Sequence, residues 1–270
     1  MVVQHNLQAA NTNRMLGQNV KAVSKSTEKL SSGYQVNRAA DDAAGLSISE
    51  KMRNQIRGIN QAVKNSEDGV SLIQTAEGNM NEIHSILQRM GELATKAAND
   101  VNASDDRQAI DDEMTQLRDE INSIAKKAAF NGTYLLRGSF TNKQLQVGAV
   151  AGENMSITIS SMTATSIGVN ALKVSSHEVA ASAMTAITKA IKDVSTARSK
   201  LGAIQNRLNY TINNLENYSE NLTAAESQIR DTDMATEMTN YTKNNILQQA
   251  AQSMLAQSNQ STQGVLSLLQ

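Results

Sequence analysis

The side chains able to act as nucleophile, general base or metal ligand are few in this chain and stand apart. Its 270 residues include three histidines, His5, His84 and His177, and no cysteine. No two of the histidines lie at the short spacing a metal site uses. The lack of thiols removes disulfides, thiolate sites and a cysteine nucleophile together. The acidic pairs Asp41-Asp42, Asp105-Asp106 and Asp111-Asp112 lack the spaced oxygen ligands and central glycine of a calcium loop. Asp231 and Asp233 stand two apart with no third ligand, and their place just before Met234 suits the entry of a helix. There is no glycine-rich phosphate loop with its lysine. The reading is no catalytic, cofactor or metal site, and a protein that is not an enzyme.

Composition points the same way. The chain has no Pro and no Trp, aromatics make up 3%, and its 40% apolar residues are mostly Ala, Leu, Ile, Val and Met. A compact enzyme of this size normally buries several large aromatics. Without proline, long helices can run uninterrupted. A net charge of −1 gives no basic field for nucleic acid. No apolar run approaches the ~20 residues of a membrane span. Residues 1–20 hold no charged start followed by an apolar stretch, so export without a cleavable signal peptide is expected for any role outside the cell.

The elements that must carry function are therefore helices. Alternate steps of four and three from Met52 reach Ile56, Ile59, Val63, Ser66, Val70, Ile73, Glu77, Met80, His84, Leu87, Gly91 and Ala94, and nine of the thirteen are apolar. That is a heptad seam, and it places His84 on the seam as a packed histidine rather than a ligand. Ten of fourteen positions are apolar in a second series from Met184 through Ile187, Ile191, Val194, Leu201, Leu208 and Leu215 to Ile229, with Arg198 and Gln205 among the exceptions. A third seam runs Ile110, Met114, Leu117, Ile121, Ile124, Ala128. Ser104 with Asp105 and Asp106 starts that helix, and Asn131-Gly132 is read as its stop. Residues 138–176 change character, with 11 Ser and Thr, 4 Gly and only 3 charges. Alternation in Gln144–Val147 and Ser156–Ile159 predicts a β-hairpin there. Gly17, Gly69, Gly78 and Gly91 interrupt helical patterns, as sites of close approach or as hinges. The predicted fold is mainly α, an elongated rod of long coiled-coil-like helices with a small β-hairpin region.

The two ends differ from everything between. Residues 1–13 and 244–270 carry no Asp, Glu, Lys or Arg. Ile246, Leu247, Ala250, Ala251, Met254 and Leu255 nevertheless form a helical stripe, continued by Val265, Leu266, Leu268 and Leu269. The intervening glutamines exclude a bilayer span. An uncharged amphipathic terminus suits a packed interior supplied by other subunits. The plainer alternative is a terminal helix docked on its own domain.

Beside these patterns stands a resemblance carried by long motifs in order. Ser31-Ser32-Gly33, the run Asn37-Arg38-Ala39-Ala40-Asp41-Asp42-Ala43-Ala44-Gly45-Leu46, and Ile73-Gln74-Thr75-Ala76-Glu77-Gly78 resemble the amino-terminal signature of bacterial flagellins. Leu201–Leu208, Glu220–Ser227, Arg230–Ala235 and the close from Leu247 to Leu269 resemble the carboxy-terminal part of that family, and Gln146-Val147-Gly148-Ala149 is similar to its hairpin. The resemblance implies a structural subunit that polymerises into the flagellar filament for motility. It implies filament-core helices at 1–45 and 232–270, rod-domain helices at 46–137 and 177–231, and a short hairpin or variable region at 138–176. Leu7, Leu16, Ile246, Leu247, Met254, Leu255, Val265, Leu268 and Leu269 would then serve polymerisation. Implied partners are other copies of the chain in a helical homopolymer, hook–filament junction and filament cap proteins, the flagellin export chaperone, the type III export apparatus, and host Toll-like receptor 5. The receptor motif matches Leu87–Leu93, so Arg89, Glu92, Leu93 and Glu113 carry over. Gly91 departs from the Arg frequent in the family. The implied location is extracellular, in the filament. Two other classes remain in view. One is a hook–filament junction protein, which shares coiled termini; the other is an enzyme with a protease in the central insert, against which stand the shortness of residues 138–176 and their lack of a His-Glu helix motif.

Overall fold

The computed structural model describes residues 6–267, with side chains described through residue 261. The element order is α1 (Leu7–Ser32), α2 (Ala43–Ala97), α3 (Ser104–Lys127), β1 (Ala129–Phe130), β2 (Thr133–Tyr134), β3 (Lys143–Gln146), β4 (Asn154–Ile157), α4 (His177–Arg230) and α5 (Met234–Ser267). The fold is mainly α, as expected. The chain divides into two compact units. One draws on residues 1–54 and 221–270, and the other is residues 55–220.

In the 55–220 unit, α2, α3 and α4 share one apolar core with the segment between α3 and α4. Along α2 the buried series is Ile59, Ala62, Ser66, Ile73, Ala76, Met80, Ile83, Leu87, Met90, Ala94 and Ala97, with Gly69 in the same series and Leu93 buried beside it. Along α4 they are Ala180, Ala183, Ile187, Ala190, Val194, Leu201 and Leu208. Both series step by three and four, the 3.5-residue period of helices that coil round each other. Half of the sequence-derived seam coincides with them. The other half lies one residue too far along: Glu77, His84, Gly91, Arg198 and Gln205 flank the seam, and Ala76, Ile83, Met90, Ala197 and Ile204 occupy it or pack against it. Ser66 is fully buried and donates its hydroxyl to the Ala62 carbonyl at 2.8 Å, which satisfies the hydroxyl within its own helix. Arg198 donates to Glu77 at 3.4 Å and Ser219 to Asn60 at 3.0 Å, fixing α2 and α4 antiparallel.

Helix α3 folds back on α2 and ends at Lys127, with Lys126 and Lys127 in its last turn facing the negative end of the helix dipole. Asn131-Gly132 is not its stop. The pair forms the turn of a two-residue hairpin, with φ of 45° and 77°, in which Ala129 pairs with Tyr134 and Phe130 with Thr133. Asn-Gly suits that turn because both central residues need positive φ. The second hairpin, β3–β4, pairs Gln144 with Ser156 and Leu145 with Met155; its strands begin one and two residues earlier than the alternation predicts. Met155 and Ile157 of β4 are buried and their neighbours exposed.

Two glycines of α2 seat this hairpin. A Cβ at Gly69 would stand 2.5 Å from Leu145 Cδ2, and one at Gly58 would stand 2.9 Å from Ala149 Cβ and 3.4 Å from its Cα. Eleven residues are close to three full turns, so both glycines share a face. They mark close approach rather than hinges. No neighbouring atom lies within 4 Å of a Cβ placed at Gly78.

In the other unit α1 and α5 lie antiparallel. Asn6 donates to the Ser258 carbonyl at 3.2 Å, and Lys29 faces Glu237 at 3.8 Å. Helix ends are capped as their residues dictate. Gly33 takes a left-handed φ of 76° and closes α1 onto the Lys29 carbonyl. Asp42 accepts from the Ala44 and Gly45 amides at 3.0 and 2.9 Å. Asp233 accepts from the Ala235 and Thr236 amides at 2.9 and 3.2 Å, the role expected for this acid. Where the connections meet, the Gln35 amide donates to the Arg230 carbonyl and the Thr232 amide to the Gly33 carbonyl. The Arg230 guanidinium lies 4.5 Å from the Tyr34 ring centroid and donates to Glu50 at 3.0 Å.

Gly58→Val should cost about 1–3 kcal/mol by overpacking the hairpin seat, whereas Gly78→Ala should gain up to about 1 kcal/mol from helix propensity alone. Urea denaturation of both variants checks the contrast. Acid should loosen the α1–α5 unit. Hydrogen bonds to Asp233, first from the Thr236 hydroxyl, and to Asp41, first from Lys25, hold both carboxyls below the ordinary range. Their contribution is present above the unfolded pKa of about 3.9 and is lost as pH falls through the lowered folded values. The Asp41 bond raises Lys25, so its share survives until pH climbs through that raised value. Circular dichroism against pH should show a shallower acid limb for Asp233→Ala with Asp41→Ala than for the parent.

Candidate functional site

Two surfaces gather the residues singled out by sequence. The first lies where α3 returns along α2. Arg89 reaches from α2 to α3, where its Nε and Nη2 donate to Glu113 Oε1 at 3.1 and 3.0 Å. Its Nη1 donates to Glu92 Oε2 at 3.1 Å. The Glu113 hydrogen bond, then that of Glu92, raises the guanidinium further above its already high pKa, so the group is a fixed cation. All three side chains are about half exposed or more. Leu93 completes the constellation from below, being 3% exposed and part of the core. The four residues thus come together, but the leucine expected beside the arginine as an apolar anchor is turned inward. They line a cleft of about 500 Å³ with Lys96, Asp106 and Ile110. Sequence reasoning passed over Lys96, although it stands four residues after Glu92, on the same helix face. A Cβ at Gly91 would meet only Ile187 Cγ2, at 3.8 Å, so the backbone there admits a side chain.

The second surface is the α1–α5 pair. The two helices meet through a mixed, largely polar face, where Tyr241, Gln248, Ala251 and Ser258 of α5 are withdrawn from solvent. Ser258 is bonded both ways to Asn6. Many large apolar side chains point outward, while Leu16, Val23, Leu30 and Leu255 are half-buried. Leu7 is 76% exposed, Ile246 61% and Met254 57%, and Leu247, Met15, Val20, Met234 and Met238 are also exposed. Of the residues assigned to polymerisation, Leu7, Ile246, Leu247 and Met254 belong to this outward set, while Leu16 and Leu255 are half-buried. Val265 lies in α5, its side chain outside the described residues, and Leu268 and Leu269 lie outside them altogether. Met15, Val20, Met234 and Met238 were not foreseen, though Met234 and Met238 sit one turn apart and signal a shared face.

Elsewhere the histidines stay separate. His84 Nε2 lies 3.2 Å from Gln88 Nε2, His177 Nδ1 lies 2.6 Å from the Ala98 carbonyl, and His5 falls outside the described residues. Among the described residues no three His, Asp or Glu side chains gather as metal ligands would. No described helix is long and apolar enough to cross a membrane.

Comparison with known proteins accounts for nearly the whole chain. Residues 3–141 match the bacterial flagellin N-terminal helical region, and residues 184–269 match the bacterial flagellin C-terminal helical region. The chain is 53% identical over 271 residues to a flagellin of Halalkalibacterium halodurans, with all of both chains covered. It is 48% identical over 303 residues to a flagellin of Bacillus subtilis, again with both fully covered. The crystal structure of Bacillus cereus flagellin superposes with a TM-score of 0.51 at 30% identity, over 56% of this chain and 88% of that one. Two terminal helical regions in order, an exposed apolar surface on the helices they form, and full-length identity above half together place this chain in the bacterial flagellin family.

Proposed function

We propose that this chain is the structural, non-catalytic subunit of a bacterial flagellar filament, acting outside the cell, and that its free monomer is recognised by Toll-like receptor 5. The observation that carries the polymer reading is the outward apolar set on α1 and α5. Eight large apolar side chains stand exposed along one helix pair, and copies of the same pair would cover them. On this reading residues 1–45 and 232–270 build the filament core, 46–137 and 177–231 the rod contacts around it, and 138–176 a short hairpin region. The carboxy-terminal segment is the site for the export chaperone before passage through the type III apparatus. Junction and cap proteins bound the finished polymer.

Polymerisation is tested with outward residues, because Leu255→Asp would also strike the α1–α5 contact. Ile246→Asp should leave the helix content of the monomer unchanged and abolish filament growth, by burying an unpaired charge at each subunit contact. Removal of residues 244–270 should also abolish filament growth and leave the 55–220 unit folded. Electron microscopy after seeding reads both. Normal filaments from Ile246→Asp count against the reading, and a capped oligomer from the parent favours a junction protein.

Receptor recognition is supported by the Arg89–Glu92–Glu113 cluster, a charged group of the type found at interface hot spots. Leu93 contributes by holding α2 against α3. Titration of receptor ectodomain should show binding to monomer and little to filament. Arg89→Ala should weaken it about ten-fold or more, and Gly91→Arg should tighten it by restoring a long cation. Unchanged binding by Arg89→Ala removes the assignment.

A further inference from the structure

The 55–220 unit carries two rows of opposite charge that its own fold does not join. On α3, Asp105, Asp112 and Asp119 recur every seven residues on the face turned away from the core, and all three are exposed. Asp112 accepts from Gln108 at 3.0 Å and Asp105 from Ser104 at 3.3 Å. Asp119 pairs with its neighbour Arg118 at 3.2 Å. A second acidic row, Asp106, Glu113 and Glu120, runs beside it, and Glu113 is the partner of Arg89. On α4 the outward face between Lys189 and Arg207 carries Lys189, Lys192, Lys200 and Arg207, all exposed, with Asp193 the one acid in that stretch. Among the described residues, none of these four cations takes part in an ion pair.

The rows match in length. Asp105 to Asp119 spans 14 residues and Lys192 to Arg207 spans 15, about 21 and 22 Å along their helices. Their steps are seven and seven against eight and seven. Single exposed ion pairs contribute little, but rows in register steer approach and reject wrong alignments.

We propose that these rows dock against each other between copies: the α3 acids of one subunit face the α4 cations of the next. This rests on the polymer reading above and assigns it a lateral contact. A second copy is the occupant that explains both rows at once. A nucleic acid or an acidic partner would use the α4 row and leave the α3 row idle. Because the two rows sit on different helices, the contact is heterologous. Each added copy leaves one row of each sign free, so the contact propagates.

The experiment is a charge swap in the full chain. Lys192→Glu with Lys200→Glu and Arg207→Glu makes both rows acidic. Asp105→Lys with Asp112→Lys and Asp119→Lys makes both basic. Each triple variant should assemble at least about ten-fold more slowly than the parent at low ionic strength, the scale of a lost steering field, and salt should narrow the gap. The chain with all six changes should assemble again, as should an equimolar mixture of the two triples. Circular dichroism and thermal melting monitor folding, and the α4 triple is the safer arm because its side chains make no hydrogen bond or ion pair among the described residues. Triples that assemble like the parent overturn the proposal, as does a well-folded six-site chain that fails to recover. In either case a parent that still forms filaments leaves the polymer reading standing. A parent that forms none removes both.

Discussion

Helices of 55 and 54 residues stay side by side only if their contact line neither drifts round the surface nor meets a proline. The three-and-four stepping along α2 and α4 meets the first condition, and a sequence without proline meets the second. Everything else in the 55–220 unit is placed by that line. It brings α3 back over α2 so that Arg89 can reach Glu113, twenty-four residues away, and it leaves the opposite faces of α3 and α4 free for charge. The β3–β4 hairpin then settles where Gly58 and Gly69 open the surface of α2. The scarcity of aromatics has its account here, since the seam is filled by aliphatic, methionine and alanine side chains that let helices approach closely.

Much of this was legible. The period, the two long arms, the third helix and the alternating hairpin all follow from apolar spacing, because burial selects it directly. The phase of alternate seam positions did not follow. Val63, Val70, Met184 and Ile191 are large and apolar and look like seam residues, whereas Ala76, Ala183 and Ala190 do not advertise themselves. Alanine is equally at home on a surface, so composition at one position cannot tell which of two neighbours turns inward. Asn131-Gly132 carries a comparable ambiguity: the same dipeptide ends helices and makes hairpin turns, and the choice depended on Ala129 and Tyr134 finding each other.

The α1–α5 unit departs from the usual arrangement. Its internal contact uses amide and hydroxyl groups such as Asn6 and Ser258, and its outer face carries Leu7, Ile246 and Met254. Sequence gave the apolar stripe and the missing charges, but not the direction in which the stripe would point. Nothing in a single chain favours that direction. It becomes reasonable once the chain's surroundings include other copies, because a polar inner contact is inexpensive to rearrange and an apolar outer one is available to neighbours. The grouping of Arg89, Glu92 and Glu113 was singled out only through the family motif, since Arg89 and Glu92 alone read as an ordinary helix-surface pair.

The alanines of the seam make the core's response to mutation one-sided. Trimming Ile73 or Ile187 would leave a local void that neighbouring side chains can partly fill. Enlarging Ala76, Ala94 or Ala183, all nearly fully buried, has no such local remedy, because two rigid rods in contact along their length separate together when one point is wedged apart. The two kinds of change therefore fail at different scales: a trimmed isoleucine loses contacts at one level of the seam, whereas an enlarged alanine is felt along the whole contact line.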